Sequence, residues 1–318
     1  MADQYAVNRR MRNDVETFVL QQGEQAQAEI APALGNNCFA FRTTADILEP
    51  LAIDDFLSRP TSYGIPILFP FPNRLRDGAF SFQGSAYQIN PPRHGFVRDK
   101  AWMVIEAQAS ESDGAWLRCR FDARQHAEAI LSQFPFPFVL EMTYRLQAGK
   151  LGIHLAATNT GERAMPLGYG LHPYFRRPAR GMIQVPANKR WELAASLPTG
   201  KVLELAEADD LRQPRDLNGL VLDDIYSGLT TTAAGMTECL LTDSDQGTEI
   251  VVEFSARQFP FVVVYTPPAP RQAICIEPNT CPTDAFNLEQ RGIASNVIAL
   301  EAGAQVSFDV YVYERLLA

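Results

Sequence analysis

Apolar and polar residues alternate with a period of two along most of this chain, the spacing of a strand with one face in a core and one in water. Residues 139–146 set Val139, Leu140, Met142, Tyr144 and Leu146 against polar partners. Residues 151–157 alternate again and stop at the turn signal Asn159-Thr160-Gly161-Glu162. Ala79-Phe80-Ser81-Phe82 leads through Gln83-Gly84-Ser85 into Tyr87-Gln88-Ile89, which predicts a hairpin. Phe261-Val262-Val263-Val264-Tyr265 is a continuous run ended by Pro267-Pro268, as expected of a strand covered on both faces. Residues 306–313 close the chain with one more alternating strand.

Helical periodicity is scarce. Residues 125–133 are expected to make about two turns before Pro135 ends them. Shorter helical pieces are expected at 206–212 and 53–57, and residues 1–22 as an early strand or arm against the rest. The segments that carry candidate chemistry fall at 64–98, 168–176, 223–229 and 274–287. A site gathered from points so far apart is easier to build in one fold than across independent units. The pattern therefore predicts an all-β protein, a single large antiparallel β-sandwich domain over residues 1–318 with few short helices.

Composition narrows this picture. The 318 residues are 46% hydrophobic and 20% charged, an ordinary core-forming mixture, and 22 prolines with 20 glycines suit many short strands joined by turns. A net charge of -9 argues against a nucleic-acid face, although it leaves room for a few arginines inside a pocket. The five cysteines lack CxxC spacing and are odd in number, so neither a zinc ribbon nor a disulfide framework is expected. The first residues carry Arg9, Arg10 and Arg12 with no apolar stretch behind them, unlike a signal peptide. No apolar run approaches the roughly 18 residues of a membrane helix. The expectation is a cytoplasmic protein, a monomer or homodimer, with no nucleic-acid or membrane partner.

Of four histidines, two sit beside glycine or proline outside any alternating run: His94 in His94-Gly95-Phe96-Val97, and His172 in Gly170-Leu171-His172-Pro173-Tyr174-Phe175. A histidine held by a rigid turn suits proton transfer, while packing beside aromatics or on a loop is the structural alternative. His154 alternates within a strand and His126 opens a polar stretch, so both read as structural. Glu277 ends the apolar run Ala273-Ile274-Cys275-Ile276 just before Pro278. A carboxyl at that place is partly desolvated, which raises its pKa toward that of a useful base. Arg74 lies between Pro70-Phe71-Pro72-Asn73 and a turn, with Arg76 two residues on along the same side of an expected strand. A guanidinium there is able to address a substrate oxygen. Asp223-Asp224-Ile225-Tyr226 offers a carboxylate beside an aromatic, a common way to hold a sugar. There is no GxSxG, HExxH, P-loop or GxGxxG, and the His and acid positions give no metal motif. From residues alone the chain reads as a cofactor-free acid/base site on a β scaffold.

Five segments in order resemble the aldose 1-epimerase (galactose mutarotase-like) family. They are Gly64-Ile65-Pro66-Ile67-Leu68-Phe69-Pro70 with Asn73-Arg74-Leu75-Arg76-Asp77-Gly78; His94-Gly95-Phe96-Val97-Arg98; the His172 segment; Leu222-Asp223-Asp224-Ile225-Tyr226-Ser227-Gly228-Leu229; and Ile276-Glu277-Pro278 through Ala285-Phe286-Asn287. The resemblance implies a β-supersandwich and the interconversion of the α and β anomers of an aldose, with a small sugar as the partner and no cofactor or metal. It implies Glu277 as the base at the C1 hydroxyl and His172 as the acid at the ring oxygen. His94 would hydrogen-bond the ring oxygen or a neighbouring hydroxyl, and Arg74 and Asp223 would hold hydroxyls. Pro278-Asn279-Thr280-Cys281-Pro282 replaces the Gly-rich stretch common in galactose mutarotases, which points to the broader bacterial branch. Hexose 6-phosphates served by Arg76, Arg93 or Arg98, sulfonated sugars, and a non-catalytic carbohydrate-binding role on the same fold stand as alternatives.

Overall fold

Strand alternation becomes burial most clearly in the hairpin of Phe138–Gln147 and Lys150–Asn159, which pair antiparallel in register from Phe138 opposite Asn159 to Gln147 opposite Lys150. Leu151, Ile153, Leu155 and Ala157 are buried while the residues between them are half-exposed. Across the next interface Leu151, Ile153 and Leu155 oppose Val312, Val310 and Phe308 of Gln305–Leu316. These two strands sit inside a nine-stranded sheet. Its order is Arg215–Asp216, Gly181–Gln184, Thr237–Asp243, Thr248–Phe254, Gln305–Leu316, Lys150–Asn159, Phe138–Gln147, Gly114–Asp122 and Met103–Ser110. A period of two fits a sheet with one dry face. The computed structural model describes residues 4–317.

A second sheet has eight strands and no wet face at its centre. Leu197–Glu204, Ala187–Ala194, Asp223–Leu229, Phe261–Tyr265, Ala273–Asn279, Gly170–Leu171 and Ile67–Leu68 follow one another, and Tyr174–Arg176 also pairs with Ala273–Asn279. On one face Tyr226, Val262, Val264, Ile274 and Ile276 join the same apolar cluster as Leu151, Val310 and Phe308 of the first sheet. On the other face Ile225, Phe261 and Val263 pack with Trp191 and Leu288. The continuous run at Phe261–Tyr265 is thus covered on both sides, as its sequence predicts. Each such fully buried side chain contributes about 1.5–3 kcal/mol relative to exposure. The fold is the expected antiparallel β-supersandwich.

The early segment of the chain forms two strands, Tyr5–Arg12 and Val15–Gln22, which start a four-stranded sheet completed by Ala26–Ala31 and Asn37–Arg42. Phe18, Leu20, Ile30 and Phe41 enter the main cluster, so this expected arm is part of the core; residues 1–3 lie outside the described residues. Buried Glu29 is neutralised there by a bidentate pair with Arg12, both contacts at 2.8 Å, and by the Thr17 hydroxyl at 2.7 Å.

The helical expectations need correction. Residues 125–133 make a 3-10 turn at Ala123–His126 followed by turns that seat Ile130 in the core, the Ile130 amide donating to the His126 carbonyl at 2.8 Å. Residues 206–212 reduce to the 3-10 turn Glu207–Asp209. Ile53–Ser58 is helical as expected, and Ala285–Gln290 is a helix that the sequence reading does not include. The expected hairpin pairs Ala79–Phe82 with Ser85–Gln88. All five cysteines are free and buried, and no helix among the described residues is long and apolar enough to cross a membrane.

Candidate functional site

The five segments singled out in the sequence converge through backbone pairing. Phe69 bridges Gly95, and Leu68 pairs with Gly170. Gly170 in turn pairs with Asn279 of the strand carrying Glu277. That strand runs beside Phe261–Tyr265, with Glu277 opposite Val263, and Tyr265 stands opposite Asp223 on the following strand. Glu277 and Asp223 therefore lie two strands apart on one face of this sheet, while His172, His94 and Arg74 sit in the connections beside it. Two glycines permit the crowding. A Cβ on Gly95, at φ +67°, would lie 1.9 Å from the Phe69 carbonyl oxygen, and one on Gly170 would meet Asn279 Oδ1 at 1.7 Å. Both approaches are closer than any side chain tolerates.

At the floor His172 Nε2 lies 3.2 Å from Glu277 Oε1, with side-chain exposures of only 8% and 2%. The His172 ring is held by stacking on Tyr174 at 4.6 Å and by an edge contact from Tyr265 at 6.0 Å. Tyr174 is in turn covered by the Arg271 guanidinium at 4.7 Å, which Glu49 grips through Nε at 2.9 and 3.0 Å and through Nη2. Glu277 is more deeply buried than a strand-end acid, because its strand continues through Asn279. Burial drives both groups toward neutrality. It lowers His172 to about 3 and, with help from the charge of Asp223, raises Glu277 well above the usual carboxylate range. Burial thus favours a protonated Glu277 carboxyl beside a neutral imidazole.

His94 lies next to this pair, its ring 5.5 Å from that of His172 and edge-on to it. It is not the surface loop residue of the structural alternative: it is 4% exposed, at φ +62°, with its amide donating to the Asn73 carbonyl at 2.6 Å. Arg93 Nε donates to His94 Nε2 at 3.0 Å, so the remaining ring proton belongs on Nδ1, which has no partner among the described residues. Burial, then the neighbouring His172 and arginines, push the His94 pKa well below the usual value, which keeps this donor neutral.

Arg74 bridges Arg93 across the two loops at the rim. Its pKa is lowered first by burial and then by Arg93, while Asp223 acts in the opposite sense. Asp223 is exposed on the same rim, and Tyr265 opposite it supplies the aromatic surface. Two expectations are corrected here. Arg76 does not share a strand face with Arg74; it starts the 3-10 turn Arg76–Gly78 and pairs with buried Asp284 at 3.4 Å. Tyr226 is not the partner of Asp223, because alternation turns it into the main core, fully buried, while Asp224 pairs with Arg190 at 3.0 Å. Asn287 is likewise structural, donating to Ala79 O and to Asp284 Oδ1. His154 is half-exposed on Asp309, and His126 stacks on Phe121, so both are structural as read.

Tyr174, Tyr265, Arg271 and Cys275 are the neighbours that sequence reasoning does not assign. Tyr174 adjoins the His172-Pro173 pair, and Cys275 and Glu277 are two apart on one strand, which were available signals. Arg271 and Glu49 carried none, since 222 residues separate them. A cleft of about 520 Å³ lies on the far side of Tyr265 and Arg271, walled by Leu220, Val221, Thr266 and Pro268, and none of His94, His172, Glu277, Arg74 and Asp223 lines it.

Comparison with known proteins agrees with this fold. The uncharacterized protein YihR of Escherichia coli (strain K12) is 26% identical over 262 residues, covering 77% of this chain and 78% of YihR. A galactose mutarotase-like protein from Clostridium acetobutylicum has the same fold, with a TM-score of 0.90 at 22% identity over 99% of each chain. Galactose 1-epimerase from Lactobacillus acidophilus NCFM superposes with a TM-score of 0.78 at 15% identity over 100% of both chains. The family described as Aldose 1-epimerase matches residues 17–310. With that match spanning nearly the whole sequence, the chain belongs to the aldose 1-epimerase family.

Proposed function

We propose that this protein is a mutarotase that interconverts the α and β anomers of an aldose, acting as a single domain over residues 1–318. The observation that carries the reading is the buried His172–Glu277 pair at 3.2 Å. Ring opening moves a proton off the C1 hydroxyl and another onto the ring oxygen, two atoms bonded to the same carbon. A carboxylate and an imidazole in contact reach both at once. One group takes the O1 proton as the C1–O5 bond breaks, and the other gives its proton to O5. The open-chain aldehyde rotates about C1–C2, and ring closure on the other face returns both protons. The reaction is balanced in protons alone.

The pair needs one proton between its members, and burial favours the neutral form of each group. That favours the proton on Glu277, whereas the assignment of Glu277 as base requires it on His172. Both arrangements hold the same single proton, and microscopic reversibility makes each group acid in one direction and base in the other. The field of Arg93 favours the ionised carboxylate and assists the shift when a sugar displaces the direct contact. His94, with an unpartnered Nδ1–H, would donate to O5 or a nearby hydroxyl. Arg74 and Asp223 at the rim would orient further hydroxyls, and Tyr265 would offer its ring to the apolar sugar face. Well-placed acid/base groups contribute about 10²–10⁴-fold each.

A second reading, an anionic aldose such as a hexose 6-phosphate, is favoured by Arg74, Arg93 and Arg98, against which Asp223 and Asp99 are the opposing charges. Polarimetry of freshly dissolved α-D-glucose and α-D-galactose, with anomer-resolved NMR of glucose 6-phosphate, tests both. Faster anomeric equilibration by wild type alone supports the mutarotase, and the preferred sugar selects the reading. No acceleration with any of the three would favour the carbohydrate-binding alternative.

A further inference from the structure

Cys275 lies two residues before Glu277 on Ala273–Asn279, so both side chains leave the same face of the strand. The proposed proton transfers do not use it. Its Sγ, an imidazole nitrogen of His172 and a carboxylate oxygen of Glu277 all lie within 4.8 Å of one another, and all three residues are buried. Zinc binds sulfur at about 2.3 Å and imidazole or carboxylate at about 2.0–2.2 Å, which puts tetrahedral ligands roughly 3.3–3.8 Å apart. The His172–Glu277 distance of 3.2 Å is already at that spacing. Only the thiol has to close in, by about 1 Å.

We propose that His172, Cys275 and Glu277 form a binding site for a thiophilic divalent cation, zinc or cadmium, whose occupancy blocks the acid/base pair. Charge supports the assignment. Binding releases the thiol proton and the proton shared by the pair, leaving a thiolate, a carboxylate and a neutral imidazole. Those two anions neutralise the dication, so a nearly closed site would hold no net charge. A fourth position remains for water. The ring also explains why the ion would be an inhibitor and not a resident part of the fold. Ligating histidines usually donate their second nitrogen to an acceptor, whereas His172 Nδ1 has no partner among the described residues. That deficit points to an ion that chelators remove.

The binding arm is independent of the proposed reaction, and only the inhibition arm rests on it. Chelator-stripped protein would be titrated with cadmium while the ultraviolet thiolate-to-cadmium band and anomer exchange are read on the same samples. The expected result is a band saturating at one cadmium per chain, rising as exchange is lost. Cys275→Ala, and Cys275→Ser as a control nearer in volume, should keep the metal-free exchange rate and lose the band, and inhibition should require at least about tenfold more metal. A band in wild type that vanishes in these variants, with no exchange by any protein, would uphold the site and sink the mutarotase reading. Absence of the band in wild type overturns the proposal, as does an equal band in Cys275→Ala, which would assign the ion to another cysteine. Absence of the wild-type band decides against the site even if neither variant folds.

Discussion

Two histidine–carboxylate pairs of the same chemistry stand on different sheets of this protein and behave in opposite ways. His154 Nδ1 meets Asp309 Oδ1 at 2.8 Å on the nine-stranded sheet, with both side chains more than 40% exposed. The hydrogen bond to Asp309 raises the pKa of His154, so the pair is an ordinary surface ion pair. His172 and Glu277 are 3.2 Å apart on the eight-stranded sheet, nearly sealed, and burial lowers His172 to about 3. In the first pair water solvates each charge and the contact favours the protonated imidazole. In the second neither charge is welcome, and burial favours the neutral form of both groups. Burial, and not the identity of the partners, separates a surface contact from a site that moves protons.

Replacing members of each pair should break the comparison most sharply. His172→Gln is expected to lower the anomer-exchange rate by about 10²–10⁴-fold, while His154→Gln and Asp309→Asn leave it at the wild-type value. Comparable losses at both pairs would abolish the distinction. The backbone that seats the buried pair is next in size. Gly95→Ala forces a Cβ against the Phe69 carbonyl at a positive φ, and should cost about 1–3 kcal/mol, read as a lower midpoint in denaturant. The equivalent change at Gly149, also at positive φ but with open space around it, should cost less. At the rim, Arg74→Ala should raise KM about tenfold with a smaller change in kcat, because it would hold the sugar without touching the transferred protons.

The pH dependence sharpens the same contrast. Exchange needs one proton on the buried pair, so the rate should fall on the acid side as His172 gains a proton near pH 3, and on the alkaline side above the raised pKa of Glu277. Stability should depend on pH through both histidines, with opposite signs. The unfolded chain protonates His172 near 6.5 and the folded chain near 3, so folding loses stability as pH falls through that window, by at most about 1.4 kcal/mol per pH unit. His154 is raised, so its contribution is present below about 6.5 and is lost as pH rises through its folded pKa. Urea titrations of His172→Gln and His154→Gln across this range should therefore diverge from wild type in opposite directions.

Much of this was legible in the chain. The period of two at 139–157 and the unbroken run at 261–265 correspond to the half-wet and the fully covered sheet, because burial on one or two faces is written directly into side-chain alternation. His94 and His172 stand out because glycine and proline next to a histidine fix its backbone. The order of the five segments identified the rest. What stayed hidden depends on contacts between distant residues. Glu49 reaching Arg271 across the fold, and Arg271 bracing Tyr174 behind His172, leave no periodic trace. Tyr226 seemed the natural companion of Asp223, yet adjacent strand residues face opposite ways, and the ring on Asp223's face comes from Tyr265 one strand over. Short helices were misplaced at 125–133 and 206–212, where the chain makes turns instead.

The most direct test is two-dimensional NMR exchange between the α and β anomers of glucose, measured near neutral pH with wild type, Glu277→Gln and Asp309→Asn side by side, and repeated with galactose and glucose 6-phosphate. Exchange cross-peaks from wild type and Asp309→Asn that disappear in Glu277→Gln would bear out the buried pair as the seat of catalysis. Undiminished exchange by Glu277→Gln would contradict it.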